Sequence, residues 1–143
     1  MMYARKQARA GFTLIELMIA IAVFAIIAVV VVPNVFSFLE RAKMGRAKAD
    51  LLAIKGAIVQ YNLAVGKWPS RLKDLIQPPT DEKDKAKWPG SFLDKKELPE
   101  DPWGSNYVYK VSPAGAENPY ELYSYGKNGK GAPQGEWISV WKL

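Results

Sequence analysis

The sequence is 143 residues long and carries 20 Lys and Arg against 14 Asp and Glu, a formal charge of +6 and a pI near 9.5. It holds no His and no Cys, which excludes histidine general bases, imidazole or thiolate metal centres, cysteine nucleophiles and disulfides. An apolar share of 49% and a mean hydropathy of −0.13 would suit an average soluble domain. Those averages conceal sixteen consecutive apolar residues at positions 17–32.

The chain opens with MMYARKQARAG, where Arg5, Lys6 and Arg9 meet no acidic residue. Residues 12–32 then form a stretch of 21 that, at the helical rise, is about 31 Å long, one hydrocarbon thickness. β-Branched residues are frequent in it, but in lipid the backbone must satisfy its own hydrogen bonds and the helix is expected regardless. The basic flank precedes the span, so residues 1–11 are expected in the cytoplasm and the rest across the membrane. A secretory signal would show a shorter apolar core and a small-residue cleavage site. Here the valines at 29–32 lead into Pro33 and Asn34. A plain membrane anchor accounts for the length and the charges equally well.

Glu16 does not fit a plain anchor, because a carboxylate inside a spanning helix is costly. One reading lets it snorkel to the interface. The other gives it a cation at the same depth. Were the chain cut between Gly11 and Phe12, the new α-amine of Phe12 would be that cation. Glu16 of one subunit would then neutralise the amine of its neighbour and set the axial register of an assembly.

The string Gly11-Phe12-Thr13-Leu14-Ile15-Glu16-Leu17, behind a short basic leader, resembles the signal segment of type IV pilins and type II secretion pseudopilins. The resemblance implies removal of residues 1–11 by prepilin peptidase, N-methylation of Phe12, helical assembly from the inner membrane and the pairing role for Glu16. Pro33 matches the proline at which the long helix of that family bends or loosens.

Residues 34–65 continue with helical periodicity. Met44, Ala47, Leu51, Ile54, Ile58, Tyr61 and Val65 recur in steps of three and four and form one apolar stripe. Glu40, Arg41, Lys43, Arg46, Lys48, Asp50 and Lys55 lie opposite. Gly66 followed by Lys67-Trp68-Pro69 is a stop signal. A stem over residues 12–65, about 80 Å long, is therefore predicted, interrupted or bent near Pro33. A sheet from the same chain is the expected partner of its stripe, rather than an intersubunit coiled coil. Ser70 is the expected N-cap of a short helix through Ile76, ended by Gln77-Pro78-Pro79. Residues 80–87 are charged and lack an apolar period, so they read as a surface loop. Strand candidates follow at residues 107–111, 120–125 and 137–141. The expected architecture is α+β and pilin-like: a long N-terminal helix packed on a small C-terminal antiparallel sheet. Its segments are a leader at 1–11, a transmembrane and assembly helix at 12–33, an amphipathic stem half at 34–65 and a periplasmic head at 66–143.

Asp101-Pro102-Trp103-Gly104-Ser105-Asn106-Tyr107 reads as a tight turn feeding a strand, with Trp103 a buried anchor. It resembles the D-P-W-G-x-x-Y segment of the major pseudopilin family of type II secretion, and Gly66-Lys67-Trp68-Pro69 resembles the short turn that follows that family's stem. The resemblance implies a homo-oligomeric helical filament that grows with minor pseudopilins on an inner-membrane assembly platform. It also implies a short periplasmic pseudopilus that pushes folded proteins through the outer membrane. The family's last loop usually binds calcium through carboxylates and backbone carbonyls. Here Asn128 stands where that loop's first Asp would fall, no Asp follows it, and Lys127 and Lys130 bring positive charge. Asn128 and Glu136 could supply side-chain oxygens, but two positions do not make a cage for a cation that takes six to eight. A hairpin loop stiffened by Gly and Pro is expected instead, with no cofactor.

A type IV pilus subunit is the alternative reading of the N-terminal module. A membrane-anchored periplasmic enzyme is a third, but the Ser residues have no His to activate them, and Asp81-Glu82 and Glu100-Asp101 read as solvated charge. Nucleic-acid binding is not expected, since the lysines are interleaved with acids rather than clustered on one face.

Overall fold

A computed structural model describes residues 11–143. The basic leader residues Arg5, Lys6 and Arg9 lie outside the described residues.

Helix α1 runs over Leu14–Val65, 52 residues, or about 78 Å at the helical rise. It meets the predicted stem to within two residues at its start. Pro33 falls inside it without ending it. A proline in a helix interior removes one ladder bond and costs roughly 3 kcal/mol in water, and neighbouring polar side chains bond the backbone nearby. Asn34 Nδ2 donates to the Val30 carbonyl at 2.8 Å, and Ser37 Oγ to the Asn34 carbonyl at 2.9 Å. The expected interruption is therefore absent from the helix.

Contacts divide the chain between Leu39 and Glu40 into two units. In the first, the apolar residues of α1 are exposed throughout. An 18-residue window here reaches a mean hydropathy of 3.1, in the one helix among the described residues long and apolar enough to cross a membrane.

The second unit, Glu40–Leu143, holds the core. Ala47, Leu51, Ile54, Ala57, Ile58, Tyr61 and Val65 line the buried face of α1. The predicted stripe is therefore correct from Ala47 to Val65 and fails at its first residue. Met44 is 40% exposed and lies off it, while Ala57 joins it. Leu72, Leu75, Tyr107, Tyr120, Leu122, Ile138 and Val140 complete the cluster. The sheet has three antiparallel strands in the order β1 (Val108–Val111), β2 (Tyr120–Ser124), β3 (Ile138–Ser139). Strand alternation puts Tyr120, Leu122 and Ser124 on one face, all buried. Tyr123 points the other way, where Trp137 stacks on it at 4.5 Å. The third predicted strand is shorter than expected, and beyond it Val140 still donates its N–H to the Leu122 carbonyl at 3.0 Å.

Two local expectations need correction. Residues 80–87 are not a loop: α2 spans Glu82–Lys87, capped by Asp81, whose carboxylate accepts from the N–H groups of Lys83 and Asp84. Acids in its first turn and lysines in its last complement the helix dipole. Asp84 pairs with Lys67 at 2.6 Å, and Lys87 Nζ reaches the Val65 carbonyl at 3.5 Å, fastening α2 to the end of α1. Next, the helix expected from Ser70 to Ile76 is a 3-10 turn over Leu72–Leu75, and its N-cap is Arg71. The carboxylate of Asp74 holds both the Arg71 N–H and its guanidinium, the latter at 2.8 Å.

Candidate functional site

The N-terminal segment is built around Thr13 and Glu16. Thr13 is the last residue before α1, in the N-cap position, and Glu16 is the third residue within it. Thr13 N–H donates to Glu16 Oε2 at 2.8 Å, and Thr13 Oγ1 donates to the same oxygen at 3.0 Å. Glu16 N–H donates back to Thr13 Oγ1 at 3.3 Å. This reciprocal pair is a capping box. Its sequence signal is the threonine-x-x-glutamate spacing of Thr13 and Glu16, which the charge of Glu16 alone does not reveal. The box satisfies backbone donors and turns the carboxylate toward the helix start, where Gly11 and Phe12 precede it. Phe12 is 92% exposed. Both hydrogen bonds to the Glu16 carboxylate among the described residues fall on Oε2. Pro33 lies about two and a half helical turns beyond the middle of the apolar run, distant from this cluster in sequence.

In the second unit the head is tied to the stem by side chains expected on the solvated face of α1. Trp103 Nε1 donates to Glu40 Oε2 at 3.3 Å, and Tyr107 OH to Asp50 Oδ2 at 3.2 Å. Lys55 Nζ sits 4.2 Å above the Trp141 ring, a cation–π contact. Periodicity found the apolar stripe but could not show that these flanking charges meet aromatic edges. Asp101, read as part of a turn and, with Glu100, as solvated charge, is instead enclosed and is the hub of the head. It is 4% exposed; Oδ1 accepts the N–H groups of Trp103 and Ser105, and Oδ2 accepts the Ser124 hydroxyl at 2.6 Å. Gly104 closes the turn with φ of +86°, a conformation that favours glycine. Trp103 is half-buried rather than the fully buried anchor expected.

The last loop, between β2 and β3, brings together the two oxygen-bearing residues the sequence singled out. Asn128 Nδ2 donates to Glu136 Oε2 at 2.7 Å. Neither residue is buried. The carbonyls of Gly129, Ala132, Pro133 and Gln134 accept bonds from within the loop. Among the described residues, no group of three or more His, Cys, Asp or Glu is placed so that it could hold a metal ion. One carboxylate already bonded to an amide, beside two lysines, does not fit a cation that takes six to eight oxygens.

A family model described as type II secretion system, protein G, matches residues 34–141. The chain belongs to that family. A second model, the prokaryotic N-terminal methylation motif, matches residues 6–32 and so contains Gly11, Phe12 and Glu16. Similar proteins include the type II secretion system core protein G of Pseudomonas aeruginosa, 39% identical over 88% of this chain and 89% of that protein. The core protein G of Escherichia coli K12 is 34% identical over 93% and 91%, and that of Vibrio cholerae 33% identical over 93% of each. The fold resembles the crystal structure of the major pseudopilin from the type 2 secretion system of enterohaemorrhagic Escherichia coli. That match has a TM-score of 0.58 at 23% identity, covering 78% of this chain and 96% of that one. The type II secretion reading therefore holds over the type IV pilus alternative, and the protein G fold is the long helix and small antiparallel sheet expected from the sequence.

Proposed function

We propose that this protein G chain is the repeating subunit of a type II secretion pseudopilus. It is cut between Gly11 and Phe12 by prepilin peptidase and methylated on the Phe12 amine. It then stacks helically from the inner membrane, with its head in the periplasm. The observation that carries this reading is the capping box. Thr13 holds the one carboxylate of an otherwise apolar, fully exposed segment at the end where the Phe12 amine would arise. A charge so placed is costly in lipid unless a cation shares its depth. The neighbouring subunit's amine supplies that cation.

A second surface supports self-association. On the side of α1 away from the core, Gly45, Ala49, Leu52, Gly56, Val59 and Leu63 recur in alternate steps of four and three, and all are exposed, Leu63 at 80%. A Cβ added at Gly45 or Gly56 would meet nothing within 4 Å, so the fold of this chain does not require glycine there. Such a seam suits close approach of a second helix. It is continuous along one helix with the exposed apolar run, and a second copy of the chain is its natural occupant. Minor pseudopilins and the inner-membrane platform would complete the assembly. With neither His nor Cys, the chain itself is assigned no catalysis.

The test is a filament preparation with its N-terminus sequenced. Phe12, methylated, is expected as the first residue, and Glu16→Ala is expected to abolish filaments while the protein still reaches the membrane. An intact leader in filaments, or normal assembly by the alanine variant, would count against the proposal.

A further inference from the structure

The two ends of the last loop are joined by side-chain contacts. Tyr123, Tyr125 and Trp137 form one aromatic cluster across its two ends. Tyr123 and Trp137 stack at 4.5 Å with planes 6° apart, and Tyr125 stands edge-on to Trp137 at 5.3 Å and to Tyr123 at 5.4 Å. Trp137 Nε1 donates across the loop to the Ala132 carbonyl at 2.9 Å. At the loop's entrance, Gly126 N–H donates to Ser124 Oγ at 2.9 Å, and Ser124 in turn donates to Asp101. Gly126 has φ of +72°, and a Cβ there would lie 3.6 Å from the Glu136 carbonyl oxygen, so entrance and exit of the loop are already in contact. Between them, Asn128 and Glu136 bond to each other. Lys127 and Lys130 place their charges in the same stretch, where a divalent cation would be repelled.

We propose that this loop is closed by the Tyr123–Tyr125–Trp137 clamp in place of a divalent cation, so that the head of this chain folds and stays closed without calcium. The work a metal would do, joining the two ends of a long loop, falls to stacking and to the indole N–H. Aromatic pairs of this geometry stabilise beyond the area they bury, and the indole N–H satisfies the Ala132 carbonyl within the loop. The loop's own glycines allow the tight path. The inference stands apart from filament formation, because it concerns the head of the subunit alone.

Lys127 and Lys130, both exposed, make the loop's opening measurable as tryptic cleavage. The full chain, purified in detergent and stripped with chelator, is compared with and without about 5 mM calcium, above the range of weak extracellular calcium sites. The expected result is an unchanged melting midpoint and cleavage at the two lysines unchanged to within about twofold. Terbium, excited through the indole of Trp137, is expected to give no sensitised emission. A calcium-dependent rise in melting midpoint, tenfold slower cleavage with calcium, or strong terbium emission quenched by calcium would each overturn the proposal. Trp137→Ala is expected to speed cleavage at Lys127 and Lys130 at least tenfold, equally with and without calcium. Should that variant fail to fold, Trp137→Phe retains a ring against Tyr123 but loses the N–H bond. It is expected to cleave several-fold faster than the unaltered chain, and unaltered protection in it would overturn the clamp.

Discussion

Asp101 and Glu16 are both carboxylates with three hydrogen bonds or fewer to count, and their surroundings give them opposite roles. Asp101 is enclosed, and its two oxygens accept from Trp103, Ser105 and Ser124. Removing it leaves three donors without their acceptor, the Ser124 hydroxyl fully buried and the Trp103 and Ser105 N–H groups partly so. Each is worth about 1–3 kcal/mol when unmet in a buried place and less where water or local rearrangement relieves it. Asp101→Ala is therefore expected to lower the stability of the full chain by roughly 3 kcal/mol, measured as a shift in the urea midpoint in detergent. A loss below about 0.5 kcal/mol would remove Asp101 from its place as hub. Tyr120 presents the converse case. Its ring lies between Trp68, Tyr109 and Trp141 at centroid distances of 5.1–5.6 Å. Its hydroxyl is buried and finds no hydrogen-bond partner among the described residues. Tyr120→Phe deletes that unmet group and keeps the ring, so the variant is expected to be more stable by about 1 kcal/mol, seen as a higher melting midpoint. A clear loss would mean that the hydroxyl is satisfied in solution.

At the scale of elements, α1 was legible because two independent periodicities mark it: an unbroken apolar run, then a stripe in steps of three and four. Strand β2 was legible because Tyr120, Leu122 and Ser124 alternate with Glu121 and Tyr123. Helix α2 was not, because a single short helix held by an Asp81 cap and by Lys67 and Lys87 needs no apolar period. Its signal was the cap and the charge order, acids before lysines. Strand β3 was drawn too long because Trp137 and Trp141 look like strand residues. Their indoles instead bond the Ala132 and Tyr120 carbonyls and tie loops to the sheet. In the candidate site, Gly11, Phe12 and Glu16 stand in one local string, which the N-terminal methylation motif spans. The Thr13 cap was written in the same string. Asp101 and its partner Ser124 were not, since 23 residues separate them and nothing in the spacing joins them. The outer face of α1 yields its own prediction. Leu52 and Leu63 are exposed at 54% and 80%, so Leu52→Ser with Leu63→Ser should move the stability of the single subunit by no more than about 0.5 kcal/mol. The same pair is expected to cut filament yield at least several-fold in a pelleting assay. Undiminished filaments would show that the seam faces solvent in the assembly.

The whole molecule is organised by tyrosine and tryptophan more than by ion pairs, and this gives it a characteristic response to alkali. Five phenols, Tyr61, Tyr107, Tyr109, Tyr120 and Tyr123, are held above the usual tyrosine range, in each case chiefly by burial. Tyr61 and Tyr123 are each pushed up to about 12. For Tyr107 the nearby Asp50 carboxylate adds to the effect by repulsion and by accepting its hydroxyl. The unfolded chain releases these protons near pH 10, while the folded chain retains them. Between pH 10 and 12 the unfolded state therefore binds fewer protons than the folded one, and stability must fall as pH rises. The Lys67 ammonium acts in the same direction, because its bond to Asp84 raises it and that contact is lost once the amine deprotonates. The full chain in detergent is thus expected to hold its fold through pH 9 and to unfold cooperatively between about pH 10 and 12. Tyrosinate absorbance should rise in the same step as the loss of near-ultraviolet circular dichroism from the packed aromatic rings. Five phenols that titrate smoothly near pH 10 while the fold persists would show that the aromatic core is open to water, contrary to the packing that holds the head together.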